Sequence, residues 1–147
     1  MSSQTHSPHS VGGCLCKAIR YTLASAPTTT VLCHCANCQK ASGSAFMTNN
    51  WYKLNDFSIA SGHQSLRSYQ DANAATGAIV KRYFCGECGS PLYITNNQYP
   101  DSVIVTNGTV DGKGVEGGEW RPVKEFHCNE RAGWMPEVEG TERFDDM

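Results

Sequence analysis

The sequence predicts an all-β domain with little helix. Two observations carry that expectation: apolar residues recur at period two in short segments rich in aromatic and β-branched side chains, and Asn, Asp, Ser and Gly punctuate those segments every few residues. A third is the distribution of eight cysteines into close groups beside the segments, which lets metal crosslinks supplement a modest core. At 147 residues the chain reads as a disordered tail over residues 1–11 and a single domain over residues 12–144.

In chain order, Met1 to Val11 offers little to bury and holds His6 and His9 as solvated side chains. Gly12-Gly13-Cys14-Leu15-Cys16 opens a period-two segment with Ile19, Tyr21 and Leu23 on one side. On an extended strand Cys14 and Cys16 face the same way and can share one ion. Val31-Leu32 is a short β approach to a loop carrying Cys33, Cys35 and Cys38, followed by a single helical turn. Phe46 to Tyr52, Phe57 to Ala60, Ser65 to Tyr69, Ala78 to Phe84, Pro91 to Ile94 and Val103 to Val110 are further strand candidates. Gly112, Gly114, Gly117 and Gly118 predict a mobile connection, Trp51, Trp120 and Trp134 are expected in the core, and the acidic end from Glu137 to Met147 is expected to fray.

The formal charge of −2 argues against a protein that grips nucleic acid through a basic face. No apolar run approaches the roughly 18 residues of a membrane span, and the first ten residues lack the apolar core of a signal peptide, so a cytoplasmic protein is expected. A reducing compartment keeps thiols free and makes close cysteines metal-site candidates. Cys85-Gly86-Glu87-Cys88-Gly89 has the form of a zinc knuckle at a hairpin tip, and the partners of matching kind are Cys14 and Cys16. Those four make a closed structural site, while Cys33, Cys35 and Cys38 make a three-ligand site with a position for substrate, giving two zinc ions per chain. A second closed site, completed by His34, Cys128 or another side chain, is the alternative for the central three.

The pattern Gly13-Cys14-x-Cys16, Cys33-His34-Cys35-x-x-Cys38-x-Lys40-x-x-Gly43-Ser44 and Arg82-x-Phe84-Cys85-x-x-Cys88-Gly89-Ser90-x-Leu92 closely resembles the glutathione-dependent formaldehyde-activating enzyme family, which includes centromere protein V. Gly108-Thr109-Val110-Asp111, Pro122, Arg131 and Trp134 are similar to its later motifs. The resemblance implies an Mss4-like fold of stacked antiparallel sheets, with structural zinc on Cys14, Cys16, Cys85 and Cys88 and catalytic zinc on Cys33, Cys35 and Cys38. It also implies carbon-sulfur lyase chemistry between a thiol such as glutathione and a small carbonyl such as formaldehyde. Where members often carry His before the apolar pair near the C-terminus, this chain has Glu125 before Phe126, a departure that bears on the thiol at the pocket rim.

A zinc bound by three thiolates carries a formal −1 and acidifies water poorly, so it suits a sulfur ligand better than hydrolysis. Lys40 and Ser44 follow the cluster closely enough to orient an anionic or carbonyl substrate. His34 sits between two ligands and should point away from them as a supporting residue. His63 and His127 belong to no motif and default to surface or core, Cys128 to a small half-buried side chain, and Arg131 to a substrate carboxylate or a surface pair. The readings that compete with the lyase are a zinc-stabilised binding or scaffold module, and a biosynthetic enzyme acting on a larger carbonyl or a thioether. No feature specifies an oligomeric state.

Overall fold

A computed structural model describes residues 7–72, 76–114 and 119–147. Among the described residues eleven strands form two sheets and one short α-helix interrupts them, the all-β arrangement expected. β1 (Ser10–Gly13), β2 (Arg20–Leu23) and β5 (Phe57–Ser61) make an antiparallel three-stranded sheet. The second sheet runs, in spatial order, through β11 (Glu142–Arg143), β10 (Lys124–Phe126), β3 (Thr29–Cys33), β4 (Met47–Lys53), β9 (Ser102–Thr106), β8 (Pro91–Asn96), β7 (Val80–Cys85) and β6 (Leu66–Asp71). Its pairings are antiparallel except at one end, where β10 lies parallel to both β3 and β11. No helix among the described residues is long and apolar enough to cross a membrane.

The period-two segments form strands because each can bury alternate side chains: Tyr21 and Leu23 go inward from β2 while Arg20 and Thr22 stay half-exposed. Those residues pack with Ile19, Tyr52, Leu92, Tyr93, Val103, Val105 and Val110 into a core between the two sheets. The opposite face of the eight-stranded sheet carries a second cluster of Cys33, Cys38, Met47, Ala78, Val80, Ile94 and Ile104. Gly12 is required where β1 crosses Tyr21, because a Cβ there would collide with the tyrosine hydroxyl and the carbonyl of Thr109.

Several local expectations change. The segment from Cys14 to Lys17 is a turn between β1 and β2, closed by a Lys17 amide bond to the Cys14 carbonyl at 3.1 Å, with Lys17 left-handed at φ +67°. Cys14 and Cys16 therefore converge through a turn rather than along a strand. β1 takes in Ser10 and Val11, the last residues of the expected tail. The helical turn after Cys35 extends to α1 (Ala36–Ser42), because Cys35 caps it and left-handed Gly43 closes it with an amide bond to the Gln39 carbonyl. The acidic end does not fray: β11 pairs with β10, and the His127 and Cys128 amides donate to the carbonyls of Asp146 and Phe144 at 3.0 Å. Trp134 is 76% exposed rather than in the core. Of the expected mobile connection, Gly112 and Gly114 lie in a short 3-10 helix over Asp111–Gly114, while Gly117 and Gly118 lie outside the described residues.

Candidate metal centres and the adjoining cavity

The knuckle Cys85 to Gly89 and the β1–β2 turn meet at the edge of the inter-sheet core, with the four Sγ atoms of Cys14, Cys16, Cys85 and Cys88 within 4.8 Å of one another. Sγ separations are 3.6 Å for Cys14 and Cys16 and 3.8 Å for Cys16 and Cys85. Zinc–thiolate bonds of about 2.3 Å in a tetrahedron hold sulfurs about 3.8 Å apart, so the spacing fits the ion. The amides of Ile19 and Glu87 donate to Cys14 Sγ and Cys85 Sγ at 3.3 Å, as thiolates require. Ser90 binds both halves, accepting from the Leu15 amide at 3.0 Å and meeting Cys88 Sγ at 3.2 Å. That serine contact comes first among the causes that hold Cys88 down to about 5, whereas Cys16 gains from the Ala18 amide but is pushed up to about 12 by desolvation and its sulfur neighbours. Four thiolates need a cation to share the site.

On the other face of the eight-stranded sheet, β3 ends at Cys33, and α1 begins with Cys35 as its cap, accepting from the Cys38 amide at 3.2 Å. Helical spacing returns the Cys38 sulfur toward the other two, so that each thiol acts on the ionisation of its neighbours. Hydrogen bonds from Cys33 and Cys38, together with the Cys38 amide and nearby His127, favour the Cys35 thiolate against its burial. Cys35 and Cys38 in turn push the Cys33 thiol up. Three soft donors whose ionised forms oppose one another make a donor set suited to zinc.

A group that the sequence did not single out joins Cys33 and Cys35, in a close set that does not include Cys38. His127 is 5% exposed and presents a ring nitrogen within 4.8 Å of the Cys33 and Cys35 sulfurs. Register explains its place: Phe126 pairs with Cys33 across the parallel β10–β3 ladder, so the next residue turns over the cysteine loop. Its backbone is left-handed at φ +55°, a conformation that costs a non-glycine residue on the order of 1 kcal/mol and is held here by the Asp146 carbonyl. No local spacing signals this residue; only the long-range pairing of β10 with β3 does.

His34 and Cys128, the residues named as possible ligands, face elsewhere. His34 is fully buried and directs Nε2 to Glu125 Oε1 at 3.0 Å, and Cys128 Sγ faces the Glu125 carbonyl at 3.5 Å. Glu125 is not at a pocket rim. It is fully buried, with Arg131 Nη2 donating to Oε1 at 3.2 Å and Thr141 Oγ1 and Arg143 Nε donating to Oε2 at 2.7 and 3.2 Å. Burial alone would raise its pKa, but the hydrogen bonds from Thr141, His34 and Arg131 and the charge of Arg131 hold it at about 2. Arg131 thereby joins a buried ion pair with Glu125, and its Nη1 also lies 3.8 Å from exposed Glu137, the surface pair expected as one alternative.

Beside the three cysteines lies a cavity of about 60 Å³ walled by Val31, Trp51, Ile94, Ile104 and Phe126, with Asn37, Asn49 and Arg82 among its polar groups. Trp51 is thus pocket wall. Thr76, His127 and Met147 border both this cavity and an outer, more polar basin of about 490 Å³ that also touches Gln98, Tyr99, Glu130 and Asp145. Lys40 and Ser44 are exposed and line neither space.

The sequence profile of the glutathione-dependent formaldehyde-activating enzyme family matches residues 9–130. A Halomonas elongata protein bearing that family's name is 27% identical over 101 residues, 68% of this chain. A Schizosaccharomyces pombe protein named as an uncharacterised lyase is 30% identical over 95 residues, 63% of this chain. The matched region spans 64% of the length of each relative, just under two thirds. A crystal structure of a Rhodobacter sphaeroides protein superposes with a TM-score of 0.54 at 22% identity, covering 74% of this chain and 90% of its own, and so shares the fold. With the profile spanning most of its length, the chain belongs to the glutathione-dependent formaldehyde-activating enzyme family.

Proposed function

We propose that the protein is a zinc-dependent lyase that makes or breaks a carbon-sulfur bond between a thiol and a small carbonyl compound. The observation that carries this reading is the convergence of Cys33, Cys35 and Cys38 on one wall of a small, largely apolar cavity. Zinc held by those three cysteines would supply a soft Lewis acid that keeps a substrate thiol in its nucleophilic thiolate form. Cys14, Cys16, Cys85 and Cys88 would hold the structural ion. Val31, Ile94, Ile104 and Phe126 exclude water from the reacting pair, and a cavity of about 60 Å³ favours a carbonyl of one or two carbons over a larger one. The family points to glutathione and formaldehyde as the pair. The outer basin has room for the body of the thiol compound, and its Glu130, Asp145 and Asp146 favour a compound presenting an amine to that side.

His127 supports a second reading, in which its ring and the Cys33 and Cys35 sulfurs, within 4.8 Å of one another, would form a closed site with Cys38 as the remaining donor and the domain serves as a zinc-stabilised binding module. Cobalt replacement separates the two. The lyase reading expects glutathione, cysteamine or another thiol to add a sulfur-to-cobalt absorption band, and expects magnetic resonance to show thiol–formaldehyde exchange faster than in buffer. If no thiol alters the cobalt spectrum and no pair exchanges faster, the closed site and the binding module take its place.

A further inference from the structure

Two residues that line the cavity each carry a buried polar atom with no partner among the described residues. Asn49 lies on β4, 6% exposed, and contributes to the cavity wall, yet its Oδ1 accepts no hydrogen bond. Arg82 lies on β7, also at the wall, and its buried Nη1 donates to nothing. A buried donor or acceptor left unsatisfied costs about 1–3 kcal/mol, and the two residues that carry such atoms, of opposite kind, border one small space.

The Arg82 side chain is not free to turn away. Arg82 Nε donates to Asp71 Oδ2 at 3.1 Å, and the same carboxylate accepts from Asn37 Nδ2 at 3.1 and 3.0 Å, so the guanidinium is braced from β6 and α1. The sheet register places Asn49 and Arg82 on the same face as the cysteine site. Asn49 pairs with Val31 and Thr106, Trp51 with Ile104, Ile104 with Ile94 and Ile94 with Arg82, and side chains of directly paired residues share a face.

We propose that Arg82 Nη1 and Asn49 Oδ1 form the oxygen subsite for the carbonyl substrate, a proposal that rests on the lyase reading above. A carbonyl oxygen offers lone pairs, which Arg82 meets by donation. The hydroxyl of a hemithioacetal both accepts and donates, which the donor and acceptor together match. In the forward direction the thiolate sulfur attacks the carbonyl carbon and the carbon-sulfur bond forms. The π electrons of the C=O bond move to oxygen, where Arg82 stabilises the developing negative charge. The oxygen takes up a proton delivered from the polar outer basin, and the new hydroxyl donates to Asn49 Oδ1. The proton released when the thiol became a thiolate balances the one taken up. No oxidant or reductant enters.

A competing role for Arg82 is to balance charge beside Cys38, whose sulfur its guanidinium faces. Lysine at position 82 distinguishes the two, since it keeps the charge but cannot hold Asp71 and an oxygen with separate nitrogens of one planar fork. The experiment compares parent, Arg82→Lys, Arg82→Gln and Asn49→Leu for zinc content, for the change in the cobalt spectrum on adding thiol, and for thiol–formaldehyde exchange. The expected result is near-parental thiol binding in every variant. Exchange should slow about 100-fold or more in both Arg82 variants, the scale of losing one oxyanion donor. Asn49→Leu should slow it about tenfold through a weaker hold on the hydroxyl. Parental exchange in Arg82→Lys, or in Asn49→Leu, overturns the oxygen subsite while leaving the lyase reading standing. If the Arg82 variants lose zinc or fold, Asn49→Leu decides alone. Absence of exchange in the parent instead removes the lyase reading and this proposal with it.

Discussion

His34 Nε2 lies 3.0 Å from Glu125 Oε1 with both side chains fully buried, which ties the residue between two candidate ligands on the cysteine loop to the strand that carries His127. Glu125 also neutralises Arg131 and Arg143 from the same position. The pair braces the cysteine loop and β10 against each other from behind the cavity. Glu125→Gln should therefore cost about 3 kcal/mol or more, because it leaves two arginines around a neutral amide, as removal of one partner of a buried ion pair does. Urea unfolding of the zinc-loaded protein measures it, and a loss below about 1 kcal/mol would show that the arginines relax to solvent.

Two zinc ions of different kind per chain are expected under reducing, metal-replete conditions. Elemental analysis should find close to two, and a mild chelator should strip one while circular dichroism is unchanged. Finding a single tightly held zinc would break the four-plus-three partition.

Substitutions at the two groups should separate them. Cys16→Ser or Cys85→Ser should impair folding, since zinc binding at a structural site is itself folding free energy, whereas Cys38→Ser should leave a folded, inactive protein. Cys128→Ala should do neither. A parental melting curve for Cys85→Ser beside an unfolded Cys38→Ser would reverse the assignment.

With the fourth position of the cavity site open, as the lyase reading requires, His127→Ala should leave the sheet intact and the visible spectrum of the cobalt-loaded protein close to parental, whereas a histidine-closed site would change the spectrum and lose one metal to chelator about tenfold faster or more. An unchanged spectrum and rate would remove His127 from the coordination sphere.

Gly12→Ala should destabilise by about 2 kcal/mol or more, because the added methyl group meets the Tyr21 hydroxyl and the Thr109 backbone. Trp134→Ala, at a residue 76% exposed, should stay within about 0.5 kcal/mol of the parent. Thermal melts of both against the parent test the contrast.

Strand β2 is legible because its signal is local: Tyr21 and Leu23 go inward while Arg20 and Thr22 stay half-exposed, and such alternation needs only neighbouring residues to declare itself. The same holds for the cysteine groups, whose spacing already limits what they can bind. Lys40 illustrates where nearness in sequence misleads. Once the residues after Cys35 become a helix, Lys40 stands about 200° around the axis from Cys38 and faces outward. Asn49, Arg82 and His127 reach the cavity from β4, β7 and the end of β10, and only the strand order brings those elements together. Glu125, expected at a rim, is buried because three donors and His34 from distant segments supply what burial takes away.

The parallel pairing of β10 with β3 also dictates when the site can exist. During synthesis Cys33, Cys35 and Cys38 leave the ribosome roughly ninety residues ahead of His127, so the nascent chain carries three loosely held thiols before the strand that covers them has been made. Thiol oxidation and metal capture at that stage compete with folding. The β1–β2 turn likewise waits for the knuckle at Cys85, but it can close well before β10 is made, so the closed site sets first and the site beside the cavity last.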